Sequence, residues 1–62
     1  RRLAEAEIQA RKALEMAEQV HGRESKELVP FLKLLAEILK AANRYSDATD
    51  YESRAMTLRF KR

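Results

Sequence analysis

The apolar residues between Leu28 and Ala42 are too many for one face of a helix. They form two neighbouring lines with steps of three and four: Leu28, Leu32, Leu35, Leu39 and Ala42, and beside them Phe31, Leu34, Ile38 and Ala41. The main polar exceptions, Lys33, Glu37 and Lys40, follow the same spacing. A helix with one narrow polar stripe needs cover over most of its circumference. The pattern therefore predicts a central helix that packs between two others and shows one edge to water.

The segments on either side of this central helix are also predicted to be helical. Residues 2–20 carry a mostly alanine stripe that should let another helix approach closely: Leu3, Ala6, Ala10, Ala13, Ala17 and Val20. Ile8, Leu14 and Met16 lie off this stripe and widen the apolar surface. A third helix is predicted from Tyr45 to about Phe60, and its buried face comprises Tyr45, Ala48, Tyr51, Ala55 and Leu58. On the first helix, Lys12 and Glu15, or Glu7 and Arg11, are spaced to pair.

Two connectors separate the predicted helices. In the first, Gly22 suits the left-handed residue that follows a helix C-terminus, and Ser25 is the expected N-cap of the second helix. Because Pro30 lacks an amide donor, that helix begins either at Lys26 with a mild distortion, which we prefer, or at Val29 or Pro30 with none.

The second connector is predicted to be the two residues Asn43 and Arg44, which would force a tight antiparallel hairpin. Asn43 tolerates the left-handed conformation, and either Ser46 or Asn43 is expected to cap the third helix. Asp47 and Asp50 complement the dipole at its start.

Composition narrows the setting of the chain. Its 62 residues contain no Cys and begin with Arg, so we expect an excerpt of a longer chain, without disulfides. No apolar run approaches the roughly 18 residues of a membrane span, and no signal peptide is visible, which favours a cytoplasmic location, with a nuclear or cytoskeletal one still open. Arg59, Lys61 and Arg62 account for the net charge of +3.

The chain also resembles itself when it is shifted by 42 residues. Aligned pairs include Leu3 with Tyr45, Ala6 with Ala48, Lys12 with Arg54, Ala13 with Ala55, Leu14 with Met56 and Met16 with Leu58. The first and third helices are therefore predicted to be two copies of one element. A fixed period in this range is typical of stacked helical arrays.

At this point the residues resemble tetratricopeptide repeats, in the longer 42-residue spacing of kinesin light chains. The pattern of the first repeat helix is carried by Leu32, Leu35, Ala36 and Leu39, and that of the second by Tyr45, Ala48, Ala55 and Met56. The chain departs from the pattern at Asn43, where Gly is usual, and at Glu52, where many repeats have a large apolar side chain. The resemblance implies an all-α, right-handed superhelical fragment: helix B of a preceding repeat at 1–21, a connecting loop at 22–27, and one helix A–helix B hairpin at 28–62.

Nothing in the sequence favours catalysis. His21 is the only His, and Ser25 and Glu24 lie on the same short loop as this residue, with no predicted pocket behind them. Asp47, Asp50 and Glu52 lack the spacing and the Gly of a calcium loop. We therefore expect no enzyme, no cofactor and no metal site.

Binding is the better prospect. In the family that the chain resembles, the first helices of successive repeats line a groove for peptides, and Lys33, Glu37 and Lys40 match groove-facing positions. The resemblance thus implies a protein or peptide partner, although the same three residues could form a merely solvated stripe. The sequence also leaves open a self-associating structural segment, a basic nucleic-acid-binding module, and an amphipathic membrane or calmodulin-type segment at residues 54–62.

Overall fold

The computed structural model describes residues 2–60, and within this range the chain is all-α. Its elements are α1 (Leu3–His21), a short 3₁₀ turn (Lys26–Leu28), α2 (Val29–Ala41) and α3 (Tyr45–Arg59). None of the helices in this part of the chain has the length and apolarity needed to cross a membrane. The three predicted helices are confirmed.

The core is organised around α2, and the leucines of its first apolar line are buried as predicted. Leu32, Leu35 and Leu39 of α2, together with Leu28 before it, have no exposed surface. Burying a leucine side chain contributes about 1.5–3 kcal/mol. Helix α2 packs against both α1 and α3, and these leucines belong to the one core cluster that includes residues of all three helices.

The second apolar line of α2 was predicted wrongly in part. Phe31 and Ile38 are half-buried, whereas Leu34 is 52% exposed and Ala41 is exposed. The reason is that α1 and α3 pack mainly on the first line.

The neighbours of α2 meet it mainly through small residues. The buried residues of α1 are Ala10, Leu14 and Ala17, and those of α3 are Ala48, Ala55 and Leu58. Alanines let the helix backbones approach while the leucines of α2 fill the gaps between them. The close approach that the alanine stripe of α1 predicts is therefore present.

The composition of the α1 stripe needs one correction. Leu14, predicted to lie off the stripe, is buried, whereas Val20, predicted on it, is 76% exposed. The reason is that the predicted stripe combines two lines of a helix with 3.6 residues per turn. The line through Ala10 and Ala17 is buried, and the line through Ala13 and Val20 lies at the edge of the interface, where Ala13 is half-buried and Val20 exposed.

The buried face of α3 was predicted correctly at three positions and wrongly at one. Ala48, Ala55 and Leu58 are buried, and Tyr51 is half-buried. Tyr45, however, is 60% exposed. It is the first residue of α3, and its hydroxyl donates to Oδ1 of Asn43 across 3.5 Å, so the ring lies beside the connector and not in the core.

The connector between α1 and α2 combines both predicted helix starts. The Ser25 hydroxyl accepts a hydrogen bond of 3.0 Å from the Glu27 amide, which confirms the predicted cap. Helical structure begins at Lys26 as a 3₁₀ turn, and α2 proper begins at Val29 with Pro30 in its first turn. Pro30 is tolerated there because the first amides of a helix have no intrahelical acceptor.

Gly22 has the expected positive φ but not the expected left-handed helical conformation. Its φ is 91° and its ψ is 158°. This extended region is essentially restricted to glycine. The Gly22 amide still donates to the Glu18 carbonyl at 2.8 Å, so the end of α1 is closed by the backbone.

The connector between α2 and α3 is three residues long, 42–44, and not two. Asn43 has a φ of 63°, as predicted. The Asn43 amide donates to the Lys40 carbonyl at 2.9 Å and the Arg44 amide to the Leu39 carbonyl at 2.8 Å, which is the Schellman pattern. The predicted side-chain cap is wrong, because neither Ser46 nor Asn43 caps α3, and Arg44 occupies the N-cap position without a capping side chain.

Candidate partner-binding grooves

A shallow groove runs between α2 and α3 on the side away from α1. Buried Ala36 and Ala55 form its floor, and its volume is about 220 Å³. We call it the charged groove, because four of the other residues that line it carry charge: Lys33 and Glu37 from α2, and Glu52 and Arg59 from α3, with Met56 beside them.

The structure places the three residues predicted to face a partner in two different environments. Lys33 and Glu37 are exposed and lie together in the charged groove. Lys40 instead forms an ion pair with Glu52 of α3. The hydrogen bond to Glu52 raises the pKa of Lys40 above its ordinary value. Lys40 thus ties α2 to α3 and partly neutralises one acidic side chain of the groove.

The α3 side of the groove was missed by the sequence reasoning. Glu52, Met56 and Arg59 line it, and Met56 is 60% exposed. The steps of four and three between these residues place them on one face of α3. The signal that could have found this face is Glu52 itself, a charged residue where the repeat pattern has a large apolar one.

A second surface lies on the opposite side, between α1 and α2. It has a volume of about 290 Å³ and is lined by Ala13, Met16, Ala17, Val20, His21 and Phe31. His21 is the only residue among them with a titratable side chain, so we call this surface the apolar face. Met16 is 67% exposed, although it lies in the middle of α1.

Helices α1 and α3 are joined by a network of polar side chains, which we call the polar bridge: Glu7, Arg11, Arg44, Asp47 and Tyr51. Nη2 of Arg11 donates to Oε2 of Glu7 at 2.8 Å, which confirms one of the two predicted pairs. Nη1 of Arg11 donates to the Tyr51 hydroxyl at 2.9 Å. Nη1 of Arg44 donates to Oε1 of Glu7 at 2.8 Å, while its Nη2 donates to Asp47 at 2.8 Å.

Glu7 is the residue on which the polar bridge converges. The hydrogen bonds from Arg11 lower the pKa of Glu7, and the positive charge of Arg44 adds to the effect, although partial burial opposes it. The same contacts raise the pKa of Arg11 through Glu7, and that of Arg44 through Asp47 and Glu7. A second link is formed by Arg54, whose Nη2 donates to Oε2 of Glu18 at 2.6 Å. These charged side chains pair with one another because they link the helices of the fold.

The residues weighed for chemistry have other contacts. The Ser25 hydroxyl caps the 3₁₀ turn, and His21 lies at the edge of the apolar face. Asp47 pairs with Arg44, and Glu52 pairs with Lys40. Among residues 2–60 no group of three or more His, Cys, Asp or Glu side chains is placed to hold a metal ion. Of the basic end proposed for nucleic acid, Lys61 and Arg62 lie outside the described residues.

The charged groove, between α2 and α3, and the apolar face, between α1 and α2, thus differ in character. Comparison with known proteins adds no further assignment: no family model, no curated protein and no solved structure matches the chain.

Proposed function

We propose that the chain is a non-enzymatic protein–protein interaction module of the tetratricopeptide type, and that its charged groove binds a peptide or helix of mixed charge. The observation that carries the proposal is the charged groove itself. It has an apolar floor at Ala36 and Ala55 and opposite charges side by side on one exposed helix edge, at Lys33 and Glu37. An apolar floor with a polar rim is the usual anatomy of a protein-binding surface.

The repeat-type assignment is supported by where the small residues lie. Ala36, Ala48 and Ala55, the small positions of the family pattern, are all buried where α2 meets α3. Leu32, Leu35 and Leu39 fill the core between them. The two related helices, α1 and α3, both pack against α2, as successive second helices do in a stacked array.

The charges define which partner fits. Lys33 and Glu37 are one helical turn apart on α2, and Arg59 lies across the groove on α3. A partner segment with an acidic residue opposite Lys33 and a basic residue opposite Glu37 gains at both positions, and a segment of the reverse pattern meets like charges at both. Electrostatic complementarity of this kind contributes mainly to specificity.

The test is a peptide selection against the wild-type chain and against the double charge reversal K33E/E37K. Phage displaying random 12-residue peptides are the probe. We expect the wild type to enrich peptides with one charge order and the reversed variant to enrich the opposite order. The matched control is K26E/E27K, which exchanges two exposed charges on the 3₁₀ turn and should leave the selected order unchanged.

Two results would contradict the proposal. One is the absence of enriched peptides for the wild-type chain, and the other is enrichment of the same peptides by the wild type and by K33E/E37K. Circular dichroism of each variant checks that the helices are retained. The reversals change exposed side chains only, so the fold should tolerate them.

A further inference from the structure

Aligning α1 with α3 at the 42-residue shift indicates what the apolar face binds. At this shift, the buried residues of α3 align with residues of α1 that lie 42 positions earlier: Ala48 with Ala6, Ala55 with Ala13 and Leu58 with Met16. In α3 this line is covered by α2, and Leu58 is 4% exposed. In α1, Ala6 and Ala13 of the same line are half-buried, and Met16 is 67% exposed. The chain therefore contains two related lines, one buried under α2 and one that is only partly covered and ends in an exposed methionine.

The opposite comparison gives a different result. The buried residues of α1 align with residues of α3 that lie 42 positions later: Ala10 with Glu52, Leu14 with Met56 and Ala17 with Arg59. All three line the charged groove. Two apolar positions have become charged, so this surface is no longer equivalent to the one that α2 covers on α1. A charge that loses water without a partner carries a large free-energy cost.

From these two comparisons we infer that the apolar face binds an amphipathic α-helix of the α2 type, with leucines four apart and an alanine beside the first of them. The pattern is taken from Leu35, Ala36 and Leu39, which are buried in the covered copy of the interface. The charged groove is not expected to bind such a helix. This binding goes beyond the function proposed for the charged groove, since it uses other residues on another side of the molecule.

The sequence supplies a direct reporter for each surface. The chain has only two methionines. Met16 lies on the apolar face and Met56 in the charged groove. In a sample with ¹³C-labelled methionine methyl groups, each surface therefore has its own NMR signal. The probe is a synthetic peptide with the sequence of residues 25–43, which contains all of α2, added to the full 62-residue chain.

We expect the peptide to shift the Met16 methyl signal in a saturable manner and to leave the Met56 signal in place. A control peptide with L35D and L39D should shift neither signal, because the two substitutions place charges on the leucine side of the helix. A shift of Met56 alone, equal shifts of both signals, or no shift of either would overturn the inference. If the peptide displaced the chain's own α2, both surfaces would be disturbed. Both methyl signals would then shift equally, which is the second of these three outcomes.

A matched pair of variants measures the contribution of the face. M16K and M56K make the same change at two well-exposed positions, so neither should unfold the chain. Burial of a methionine side chain corresponds to about a tenfold or greater change in affinity. We therefore expect M16K to weaken peptide binding about tenfold and M56K to leave it unchanged. Equal weakening by both variants would overturn the inference.

The same variants distinguish a second copy of the chain from a separate helix. If the chain dimerises in sedimentation equilibrium, if M16K abolishes the dimer, and if the peptide fails to compete, the apolar face is a self-association surface and the inference is wrong. Failure of the Met16 experiment would leave the charge-reversal selection at the charged groove unaffected, so the two proposals can fail separately.

Discussion

The two neighbours of α2 are attached to it in different ways. Helix α3 follows α2 after three residues whose backbone amides all donate to carbonyls in the last turn of α2. Helix α1 is connected through a longer segment that includes Gly22 in an extended, positive-φ conformation. Within the described residues, no Cα atom of α1 lies within 8 Å of one in α3. Long side chains span this separation, among them Arg11 with Tyr51 and Glu18 with Arg54.

This difference teaches that α2 and α3 form a hairpin stabilised by apolar burial and a short connector, whereas α1 depends on a narrower stripe and on charged groups. Burial is insensitive to pH, while paired carboxylates lose their contribution on protonation. The attachment of α1 should therefore be the part of the fold that responds to solution conditions. Helix α1 also supplies five of the six residues that line the apolar face, so loosening α1 would alter that surface first.

The largest expected effect comes from truncating the one buried leucine on each neighbour of α2. Both L14A in α1 and L58A in α3 remove a buried side chain, and each should lower the free energy of unfolding by about 2–3 kcal/mol. We expect L14A to speed amide hydrogen exchange in α1 while α2 and α3 keep their protection. L58A should instead expose α2 and α3 together. Equal loss of protection throughout the chain in both variants would show that the helices form a single cooperative unit.

The next effect concerns the two connectors. G22A should destabilise the chain by about 1–3 kcal/mol, because alanine is strained at this φ and ψ. Steric collision is not the cause, since nothing lies within 4 Å of the added Cβ position. N43G should have the opposite sign and stabilise by a few tenths of a kcal/mol, about the preference of glycine over asparagine in the left-handed region. Urea unfolding measures both variants, and a neutral G22A would contradict the assigned strain.

The smallest effect tests the polar bridge through pH. The folded-state pKa of Glu7 lies below its ordinary value, so the group stabilises the fold above a pH of about 4.3 and loses this contribution as the pH falls through the lower, folded pKa. E7Q removes the carboxylate. The difference in melting temperature between wild type and E7Q should therefore be largest near neutral pH and shrink in acid.

The control for this prediction is E5Q, which changes an exposed carboxylate on the same helix. Its melting temperature should follow that of the wild type more closely across the same pH range. Added salt should also reduce the difference between wild type and E7Q, because the arginines of the polar bridge are partly exposed. A difference independent of both pH and salt would mean that Glu7 acts through packing and not through its charge.

Much of the fold was predictable because its signals are local. The leucine spacing of α2 predicted its central position, Ser25 predicted the cap, and Asn43 predicted the left-handed turn. These features depend on side-chain periodicity and on backbone preferences within a few residues. The pairing of Glu7 with Arg11 was predictable for the same reason, since both lie on one helix face.

The errors occur where a long-range choice is made. Leu14 and Val20 both fit an apolar surface of α1, and only the rotation of this helix against α2 decides that Leu14 is buried and Val20 exposed. Tyr45 fits the periodicity of α3 but lies at its first turn, beyond the packed face. Lys40 has the spacing of Lys33 and Glu37, yet the position of Glu52 across the hairpin draws it into an ion pair.

By itself, then, the sequence determined the number of helices, the central place of α2 and the presence of a helix on either side of it, because each follows from periodicity along one chain. Only the tertiary structure decided which line of each helix faces its neighbour. That choice leaves Met16 on an apolar surface and Met56 on a charged one. The physical reason is that the rotation of one helix against another depends on the fit of all the side chains between them, which no single segment contains.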